Sequence, residues 1–297
     1  MSYWKKYTGK LFLKQWGVGM MRCDIKDIIR QKKITAPVKW YEVADKYCSY
    51  ADPFVLSRPD GTYHVYAEKV TSDALDGTIE LLSADHEMNI RSTQTILKKD
   101  THLSYPFFYE EEGQTYFFPE NAFGGPLQAY LLNETKGTWQ LQGIVLNKRL
   151  LDATIVKKNE QYGLFCTMPG PCKHSELQIF YSSSLLGPYA PHNTNPVKKD
   201  PSGSRPAGSV IEVDGELYRP TQNCRYYYGQ SIVIQRIVEL DADHFREEFY
   251  MELKPSDGSP YSYGWHTING HGDCTVIDGQ RLHFEPWQQL KRKLFKK

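Results

Sequence analysis

Short apolar runs that end in Gly, Asp or Asn turns and continue into Tyr- and Phe-rich runs recur along this sequence of 297 residues. Two β-forming runs around a tight turn predict a β-hairpin. Five segments have this pattern: ADPFVLSRPDGTYHVYAE (51–68), SYPFFYEEEGQTYFFPE (104–120), LDATIVKKNEQYGLFCT (151–167), PAGSVIEVDGELYRPTQ (206–222) and GDCTVIDGQRLHFEPW (272–287). The pattern therefore predicts a chain of repeated hairpins.

Further strand-like runs lie between the hairpins, for example GTIELLSAD (77–85) and LQAYLLN (127–133). About four strands in each unit of ~50 residues is the period of a propeller blade. We therefore predict an all-β fold, a five-bladed β-propeller whose last blade is closed by N-terminal strands. The blades are expected at approximately 50–100, 103–147, 150–198, 204–254 and 270–290 plus 11–45. Such closure removes exposed sheet edges.

The repeat favours a single domain over residues 1–297. Two other architectures fit the length: a pair of β-sandwiches, or two domains divided near the Pro/Ser/Gly-containing stretch 196–208. The repeat argues against both, and no long segment has the 3.6-residue period that an α/β fold requires. The segment DIKDIIRQKK (24–33) fits one short helix or a loop turn.

Composition narrows the class of protein. Aromatic residues make up 13% of the chain, which suits many short strands, and 36 Lys and Arg against 35 Asp and Glu give no field that favours nucleic acid. No apolar run reaches the ~18 residues of a membrane span, and the N-terminus lacks the apolar core of a signal peptide. Six scattered cysteines predict free thiols. We expect a cytoplasmic protein whose basic tail, QLKRKLFKK, allows only weak contact with an anionic membrane surface.

Propeller geometry brings polar residues from every hairpin to one face, because the start of each inner strand lies beside the end of its antiparallel partner. The starts are Asp52, Tyr105, Asp152, Ala207 and Asp273, and the ends are Glu68, Glu120, Thr167, Gln222 and Glu285. Crowded carboxylates should have separated pKa values, as glycosidic-bond chemistry requires of its acid and base. Taken singly, each Asp favours a structural role as a turn cap, so the convergence is what indicates function.

A second group of side chains is expected on the same face. Arg205 and Arg219 could each bind a carboxylate or phosphate, or pair with an Asp between blades, and Gln222 lies close to them in sequence. The loop YSYGWHTINGHGD (261–273) offers Trp265 for stacking on a sugar ring. His266 and His271 are expected to form hydrogen bonds or move protons. No metal site is predicted, because H-x4-H-x-D is not a zinc signature.

The motifs ADPFVL, HLSYPFFYEEEGQTYFFPE, YSSSLLGPYAPHNTNPV, SRPAGSVIEVDGELYRPTQ and WHTINGHGD, in that order, carry a family resemblance. This chain resembles the N-terminal domain of plant glucosamine inositolphosphorylceramide transferases and their bacterial single-domain relatives over most of residues 50–275. The plant proteins continue into a glycosyltransferase domain, and no counterpart is expected here. More distantly, the repeat is similar to the five-bladed propellers of glycoside hydrolase families 43, 32 and 130.

The family-43 resemblance implies residue roles. It implies that Asp52 is the general base and that Asp152 tunes and orients the acid. The acid of family 43 is a Glu on the fourth blade, where this chain has Arg205-Pro206-Ala207-Gly208. The acid would then have to be Glu120 or, as a second choice, Glu68.

These observations predict an enzyme that acts on a glycosidic bond, with Asp52 as base, Glu120 as acid and Asp152 as the tuning carboxylate. A cytoplasmic location favours glycosyl transfer or processing during synthesis of a surface glycan or glycolipid. The expected partner is a carbohydrate, with a nucleotide-sugar donor if the reaction is transfer, and no cofactor is expected. The alternatives are a family 43-like hydrolase and a non-catalytic sugar-binding propeller that serves a partner enzyme. The remaining expected substrate ligands are Glu68, Tyr105, Arg205, Arg219, Gln222, Trp265, His266, His271 and Asp273.

Overall fold

Strands from the two ends of the chain share one sheet in the computed structural model, which describes residues 11–71, 77–133 and 137–286. The chain begins with β1 (Phe12–Arg22), a short helix α1 (Ile25–Gln31) and β2 (Lys39–Trp40). The carboxylate of Asp24 caps the helix by accepting a hydrogen bond from the Lys26 N–H at 2.9 Å. Of the short helix and the loop turn that the sequence allowed for this segment, the helix is the one observed.

Four antiparallel sheets follow in chain order, and the first strand of each sheet lies at one of its edges. The first contains β3 (Cys48–Ser57), β4 (Tyr63–Thr71), β5 (Thr78–Ala84) and β6 (Ile90–Leu97). The second contains β7 (Ser104–Glu111), β8 (Gln114–Glu120), β9 (Leu127–Asn133) and β10 (Thr138–Leu146). The third contains β11 (Leu151–Lys158), β12 (Gln161–Thr167), β13 (Glu176–Ser182), β14 (Ala190–Pro191) and β15 (Lys198–Lys199).

The fourth sheet contains β16 (Ile211–Val213), β17 (Glu216–Asn223), β18 (Ser231–Leu240) and β19 (Phe245–Leu253). The chain then ends in β20 (Ile268–His271) and β21 (Cys274–Phe284). These two strands join β1 and β2 in the order β2–β1–β21–β20, with β1 and β21 paired from Phe12–Phe284 to Arg22–Cys274. The predicted five-bladed β-propeller, with its last blade closed by N-terminal strands, is confirmed.

Tight turns connect the first two strands of the blades. In the fourth blade Asp214 and Gly215 have φ of 53° and 82°, and in the second blade Glu112 and Gly113 have φ of 51° and 74°. Positive φ at both central residues is the type I′ geometry that matches the twist of a hairpin. Local turn chemistry therefore defines these hairpins.

Aromatic side chains fill the spaces between neighbouring blades. Tyr66 of the first blade packs on Phe108 of the second, with ring centroids 4.5 Å apart. Phe165 of the third blade packs on Phe245 of the fourth at 5.8 Å. Aromatic pairs of this kind add to the free energy gained from buried area, so the aromatic excess stabilises the ring of blades.

The inner strands meet across the propeller axis. The hydroxyl of Tyr105 lies 2.8 Å from Thr154 Oγ1 and accepts a hydrogen bond of 2.8 Å from the Gly208 N–H. A Cβ on Gly208 would lie 2.0 Å from the Ile268 carbonyl oxygen, so glycine permits the close approach of the fourth and fifth blades. Among the described residues, no helix is both long and apolar enough to cross a bilayer.

Candidate functional site

Three inner strands contain a residue with positive φ near the start of the strand. These residues are Asp52 at 49°, Tyr105 at 41° and Asp152 at 52°. The pairing register with the second strand slips at each of them, which is the mark of a β-bulge. A bulge redirects a side chain out of the regular ladder, and strain of this kind is concentrated at functional sites. We call this end of the propeller axis the acidic end.

A cavity of about 770 Å³ opens at the acidic end. Its lining includes five residues that the sequence predicted for the site: Asp52, Glu68, Glu120, Arg205 and His266. Other side chains in the lining were not predicted, and they include Lys14, Trp16, His102, Phe123, Lys173, His174 and Tyr228. The cavity thus joins residues from blades one to five, including the first strand of the chain.

Asp52 is buried against an imidazole that also contacts Asp278. His266 Nε2 lies 3.3 Å from Asp52 Oδ1, and His266 Nδ1 lies 2.6 Å from Asp278 Oδ2. The hydroxyl of Thr267 donates to Asp52 Oδ1 at 2.7 Å. Asp278 is fixed more tightly, because it accepts hydrogen bonds from the backbone N–H groups of Asp52, His266 and Thr267 at 2.9–3.0 Å.

These contacts move the pKa values of Asp52 and His266 upward. Burial raises the pKa of Asp52 to about 7, although the neighbouring imidazole of His266 opposes the shift. Burial alone would lower the pKa of His266, but the carboxylates of Asp278 and Asp52 outweigh it and raise that pKa to about 9. Near neutral pH, therefore, His266 is charged and Asp52 exchanges its proton readily.

Glu120 is buried on the other side of the cavity, beside Asp152. Glu120 Oε2 accepts a hydrogen bond of 2.7 Å from the Asp152 N–H. Asp152 forms an ion pair with Arg205, whose Nε and Nη2 both donate to the carboxylate, and Gln222 Nε2 donates to Asp152 Oδ2 at 3.1 Å. Burial and then the charge of Asp152 raise the pKa of Glu120 to about 8, so Glu120 carries its proton at neutral pH.

Arg205 belongs to an aromatic wall of the cavity. Its Nη1 lies 3.1 Å from His174 Nδ1, and its guanidinium lies 5.0 Å from the ring centre of Tyr228. Burial and the nearby Arg205 charge lower the pKa of His174 to about 4, so this imidazole is neutral and can accept a hydrogen bond. The ring of Trp16 packs against that of His266 at a tilt of 34°, with ring centroids 4.1 Å apart. Of the five N–H donors of Arg205, two have no acceptor among the described residues.

Glu68 forms a separate contact at the cavity edge. Its Oε1 lies 2.8 Å from His102 Nε2, while His102 Nδ1 accepts a hydrogen bond of 3.0 Å from the Gly77 N–H. Because Nδ1 is an acceptor, the proton of a neutral His102 is on Nε2 and points to Glu68. Glu68 is therefore held by His102 rather than by the Asp52 and Glu120 groups.

Four predicted substrate ligands are buried outside the cavity lining. Tyr105 crosses the propeller axis, and Gln222 supports Asp152 from behind. Arg219 is completely buried, pairs with Glu247 and donates to the carbonyl oxygens of Gly203 and Ser204. Trp265 packs in the hydrophobic core with Trp40 instead of offering a sugar platform. Arg219 thus forms a structural ion pair, but with a Glu of its own blade and not with an Asp of a neighbouring blade as the sequence suggested.

The sequence placed His271 and Asp273 at the wrong end of the axis. His271 Nδ1 accepts a hydrogen bond of 3.1 Å from the N–H of Ser57, five residues beyond Asp52 and thus ~16 Å along β3. Asp273 lies in the turn between β20 and β21, where it pairs with Arg22 at 2.9 Å. The sequence pattern had placed the turn of this hairpin at Asp278–Gly279. The turn is instead formed by Gly272 and Asp273, and Asp278–Gly279 lie inside β21.

This correction also explains why Asp278 was missed. With the turn at 272–273, the inner strand of the last blade is β20, and it follows Trp265, His266 and Thr267. β20 pairs with β21 from Ile268–Ile277 to His271–Cys274, and a bridge between Gly264 and Gln280 continues this pairing, so Asp278 lies beside the start of the inner strand. An aspartate directly after the apolar run Val276–Ile277 was the available signal. Glu285 lies past the end of β21 and pairs with Lys46.

Asp52, His266 and Asp278 are also the group of metal-ligand type among the described residues. Each can offer one ligand atom, and these atoms lie within 4.8 Å of one another. The oxygens of Asp278 already accept three backbone N–H groups, and Asp52 Oδ1 accepts the Thr267 hydroxyl. With the imidazole in contact with both carboxylates, the group has the arrangement of a buried ion pair that shares a proton.

Comparison with known proteins places the chain in a family. The family model described as "Glucosamine inositolphosphorylceramide transferase 1, N-terminal" matches residues 38–289. The chain belongs to this family. The resemblance drawn from the sequence motifs is therefore confirmed.

Curated relatives in the glucosamine inositolphosphorylceramide transferase family are longer proteins. The protein named glucosamine inositolphosphorylceramide transferase 1 of Arabidopsis thaliana is 34% identical over 228 residues, which cover 74% of this chain and 29% of the relative. The protein of the same name from Oryza sativa subsp. japonica is 30% identical over 243 residues, which cover 80% of this chain and 32% of the relative. The chain thus spans about a third of the curated relatives.

Solved structures with a similar fold include glycoside hydrolases. An α-L-arabinofuranosidase from Podospora anserina superposes with a TM-score of 0.57 at 10% identity, over 74% of this chain and 77% of the other. A family 117 glycoside hydrolase from Zobellia galactanivorans superposes with a TM-score of 0.55 at 12% identity, over 91% of both chains. At these identities the likeness establishes the propeller fold and nothing about the reaction.

Proposed function

We propose that this chain is a carbohydrate-active enzyme that forms or breaks a glycosidic bond in the cavity at the acidic end. One observation carries the proposal: Asp52 and Glu120 line the same cavity in opposite environments. Asp52 contacts a charged imidazole, whereas Glu120 contacts only a backbone N–H and has a pKa of about 8. The imidazolium of His266 favours the ionised form of Asp52, and the charge of Asp152 favours the protonated form of Glu120, which is the pattern of a base and an acid.

The neighbouring residues fit supporting roles in this proposal. Asp152 raises the pKa of Glu120 and positions it through the backbone N–H, which agrees with the tuning role expected from the family-43 resemblance. Arg205 keeps two N–H donors for substrate while it holds Asp152. Glu68 and His266 line the cavity as further contacts for sugar hydroxyl groups. No cofactor is part of the proposal.

The reaction we favour is glycosyl transfer or processing during synthesis of a surface glycan or glycolipid. The support is the printed name of the curated relatives, which are transferases, and it extends to a nucleotide-sugar donor as second partner. A cytoplasmic location is supported by the six cysteines, all of which are free thiols. The basic tail proposed for weak contact with a membrane surface lies outside the described residues.

Two other functions keep some support. A glycoside hydrolase agrees with the propeller fold, but the blade-four position of the family-43 acid is taken by Arg205 and Pro206. A non-catalytic sugar-binding module would need every carboxylate fixed by the protein. Asp152 and Asp278 are fixed in this way, whereas Asp52 and Glu120 each keep one oxygen without a hydrogen bond from the described residues. That difference favours catalysis.

The test compares Asp52→Asn and Glu120→Gln with wild type on the substrate found by screening glycan acceptors with nucleotide-sugar donors. Each variant should lower kcat/KM by ~10²–10⁴-fold, because each removes a proton-transfer group. The wild-type pH profile should rise near pH 7 as Asp52 loses its proton and fall near pH 8 as Glu120 loses its own. Glu120→Gln should remove the alkaline limb.

Glu110→Gln is the matched control, since Glu110 is a carboxylate at the opposite end of the axis, 3.4 Å from His271. It should keep wild-type activity. If Asp52→Asn and Glu120→Gln both turn over substrate as fast as this control, the assignment of acid and base is wrong. If Asp52→Asn and Glu120→Gln bind the glycan as tightly as the wild type, and the wild type has no activity with any donor or with water, the protein is a non-catalytic sugar-binding module.

A further inference from the structure

The propeller axis has a second opening, at the end opposite Asp52 and Glu120. A cavity of about 300 Å³ lies there, and its lining comes from all five inner strands. The Tyr105 hydroxyl group lies between the two cavities, because it bonds across the axis to Thr154 and Gly208. We call the second cavity the opposite opening. It shares no lining residue with the cavity at the acidic end.

The wall of the opposite opening is apolar and its rim is charged. Phe54, Phe107 and Ile155 line the wall and are at most 3% exposed. The titratable residues of the lining come later along the inner strands, nearer the hairpin turns: Glu110, Lys157, Glu212 and His271. Because the inner strands run from the acidic end toward these turns, the charged groups surround the mouth of an apolar cavity.

The rim has more carboxylates than cations to pair with them. Lys157 already lies 3.8 Å from Glu111 and 3.5 Å from Glu160. Glu110 is matched by His271 at 3.4 Å. One carboxylate, that of Glu212, is exposed and has no ion pair or hydrogen bond within the part of the chain that the structure describes. An unmatched carboxylate beside an apolar cavity attracts a cation that is carried on an apolar group.

Segment 289–297 of this chain, QLKRKLFKK, has the complementary chemistry. It contains five cations, and two adjacent large apolar residues, Leu294 and Phe295, lie between them. In peptide recognition an apolar side chain that fills a pocket supplies most of the affinity, and the charges around it supply specificity. An apolar pair flanked by cations therefore fits an apolar cavity whose rim has an excess of carboxylate.

The segment of the same molecule is too short to reach the opposite opening. β21 starts at Cys274, beside the turn at that end, and ends at Phe284. These ten steps carry the chain ~33 Å toward the acidic end. The ten steps from Phe284 to Leu294 span at most ~36 Å. A return path would have no length left to reverse direction and cross to the axis, which points to a second copy of the chain.

We propose that the opposite opening binds segment 289–297 of a second copy of this chain, with Leu294 or Phe295 in the apolar cavity and the flanking cations at Glu212. The protein thus associates with itself through a short peptide contact. This contact is separate from the proposed glycosidic chemistry, because it lies at the other end of the axis.

Sedimentation velocity of the full chain at low salt measures the association. The average mass should rise from that of one chain toward that of two as the concentration increases from about 1 to about 100 µM, a range typical of weak contacts. The rise should shrink as salt screens the charges. The variant Leu294→Ser/Phe295→Ser removes the apolar pair and keeps all five cations, so it should remain a monomer over this range.

A charge reversal tests the opening itself. Glu212→Lys should weaken the association at least about tenfold, because the new cation repels those of the segment. The matched control is Asp257→Lys, since Asp257 is an exposed carboxylate in the loop after β19 and does not line the opposite opening. It changes the net charge equally and should associate like wild type. Thermal melting checks that each variant folds.

A mixture of two variants tests whether the segment and the opening contact each other. Leu294→Ser/Phe295→Ser keeps an intact opening, and Glu212→Lys keeps an intact segment. Each variant alone should associate poorly, whereas the mixture should form a complex of one copy of each with the affinity of the wild-type contact. A mixture that stays monomeric would overturn the proposal.

A membrane surface is the competing destination for a basic segment. Co-sedimentation with vesicles of phosphatidylcholine and phosphatidylserine tests it. A wild type that binds these vesicles through Leu294 and Phe295 but stays monomeric at about 100 µM would assign the segment to a membrane and contradict the proposal. Equal weakening of the association by Glu212→Lys and Asp257→Lys would also contradict it, because net charge alone would then explain the contact.

Discussion

Asp52 and Asp152 occupy the same position in the first and third blades, and the protein uses them differently. Both have positive φ at a bulge, and both donate their N–H to a carboxylate on a neighbouring blade. Asp52 donates to Asp278 at 2.9 Å, and Asp152 donates to Glu120 at 2.7 Å. The two aspartates thus have the same backbone conformation and the same kind of N–H hydrogen bond. They differ in the cation that faces each carboxylate.

Asp152 faces a guanidinium and Asp52 faces an imidazole. Arg205 stays charged at every accessible pH and donates hydrogen bonds to Asp152 from two nitrogens, so the Asp152 carboxylate is fixed. His266 can release and take up a proton, so Asp52 keeps a titratable partner. The neighbouring carboxylates show the opposite order: three N–H groups fix Asp278, and Glu120 accepts only one. The pair Asp52–Asp278 and the pair Asp152–Glu120 thus each have one fixed and one exchangeable carboxyl group.

Removing the fixed cation should have the largest effect. Arg205→Met leaves the Asp152 carboxylate buried without its charge partner, and we expect the free energy of unfolding to fall by about 3–5 kcal/mol. Urea unfolding followed by circular dichroism measures it. Adding Asp152→Asn to Arg205→Met should restore more than half of the loss, because it removes the stranded charge.

The matched variant on the other side is His266→Gln. It should cost less than Arg205→Met, because Asp52 keeps the hydrogen bond from Thr267 beside a cavity that water can enter, and Asp278 keeps its three backbone N–H donors. Equal losses for Arg205→Met and His266→Gln would mean that the two aspartates are fixed alike. The contrast between a fixed and an exchangeable carboxylate would then fail.

Glu120→Gln should have a smaller and pH-dependent effect on stability. The pKa of Glu120 is about 8 in the folded protein against an ordinary 4.5, so the folded state holds a proton that the unfolded state loses. Stability therefore falls as pH rises from 4.5 to about 8, and a Gln without that proton escapes the loss. The gain in the free energy of unfolding over wild type should therefore grow as pH rises from 5 to about 8 and level off above it.

Thermal melts of wild type and Glu120→Gln at pH 5 and pH 9 measure this gain. Asp152→Asn is the comparison variant, since it removes the fixed carboxylate beside Glu120 and should destabilise at both pH values. A Glu120→Gln difference that stays constant between pH 5 and pH 9 would show that Glu120 has an ordinary pKa. Glu120 would then be unsuited to act as the acid.

Most of the fold followed from local sequence chemistry. Turn pairs such as Asp214–Gly215 adopt the φ values that their composition favours, and each turn lies between strands of its own hairpin. The bulged positions Asp52, Tyr105 and Asp152 also followed from the repeat, because each blade repeats the same inner strand. Local patterns are informative here since the pairing partners are near in sequence.

The last blade shows where local chemistry stops being sufficient. HGDCTVIDGQ contains two turn-like pairs, and composition alone does not choose between Gly272–Asp273 and Asp278–Gly279. A Cβ on Gly279 would lie 2.6 Å from both Trp40 and Tyr261, so this glycine permits close packing by distant residues and forms no turn. Lys14 and Trp16 were missed for the same reason: β1 reaches the cavity only through its pairing with β21.

Asp273→Asn should have the smallest effect, because Asp273 lies outside the comparison between Asp52 and Asp152. Its ion pair with Arg22 joins two side chains that are 58% and 53% exposed, so solvent screens it and its loss should cost at most about 0.5 kcal/mol. The hydroxyl of Tyr63, now 3.0 Å from Asp273, can still donate to an Asn oxygen. Urea unfolding should show this small change, and kcat/KM and its pH profile should match wild type. A loss of activity comparable to that of Asp52→Asn would place Asp273 in the chemistry after all and would contradict the division between the two ends of the axis.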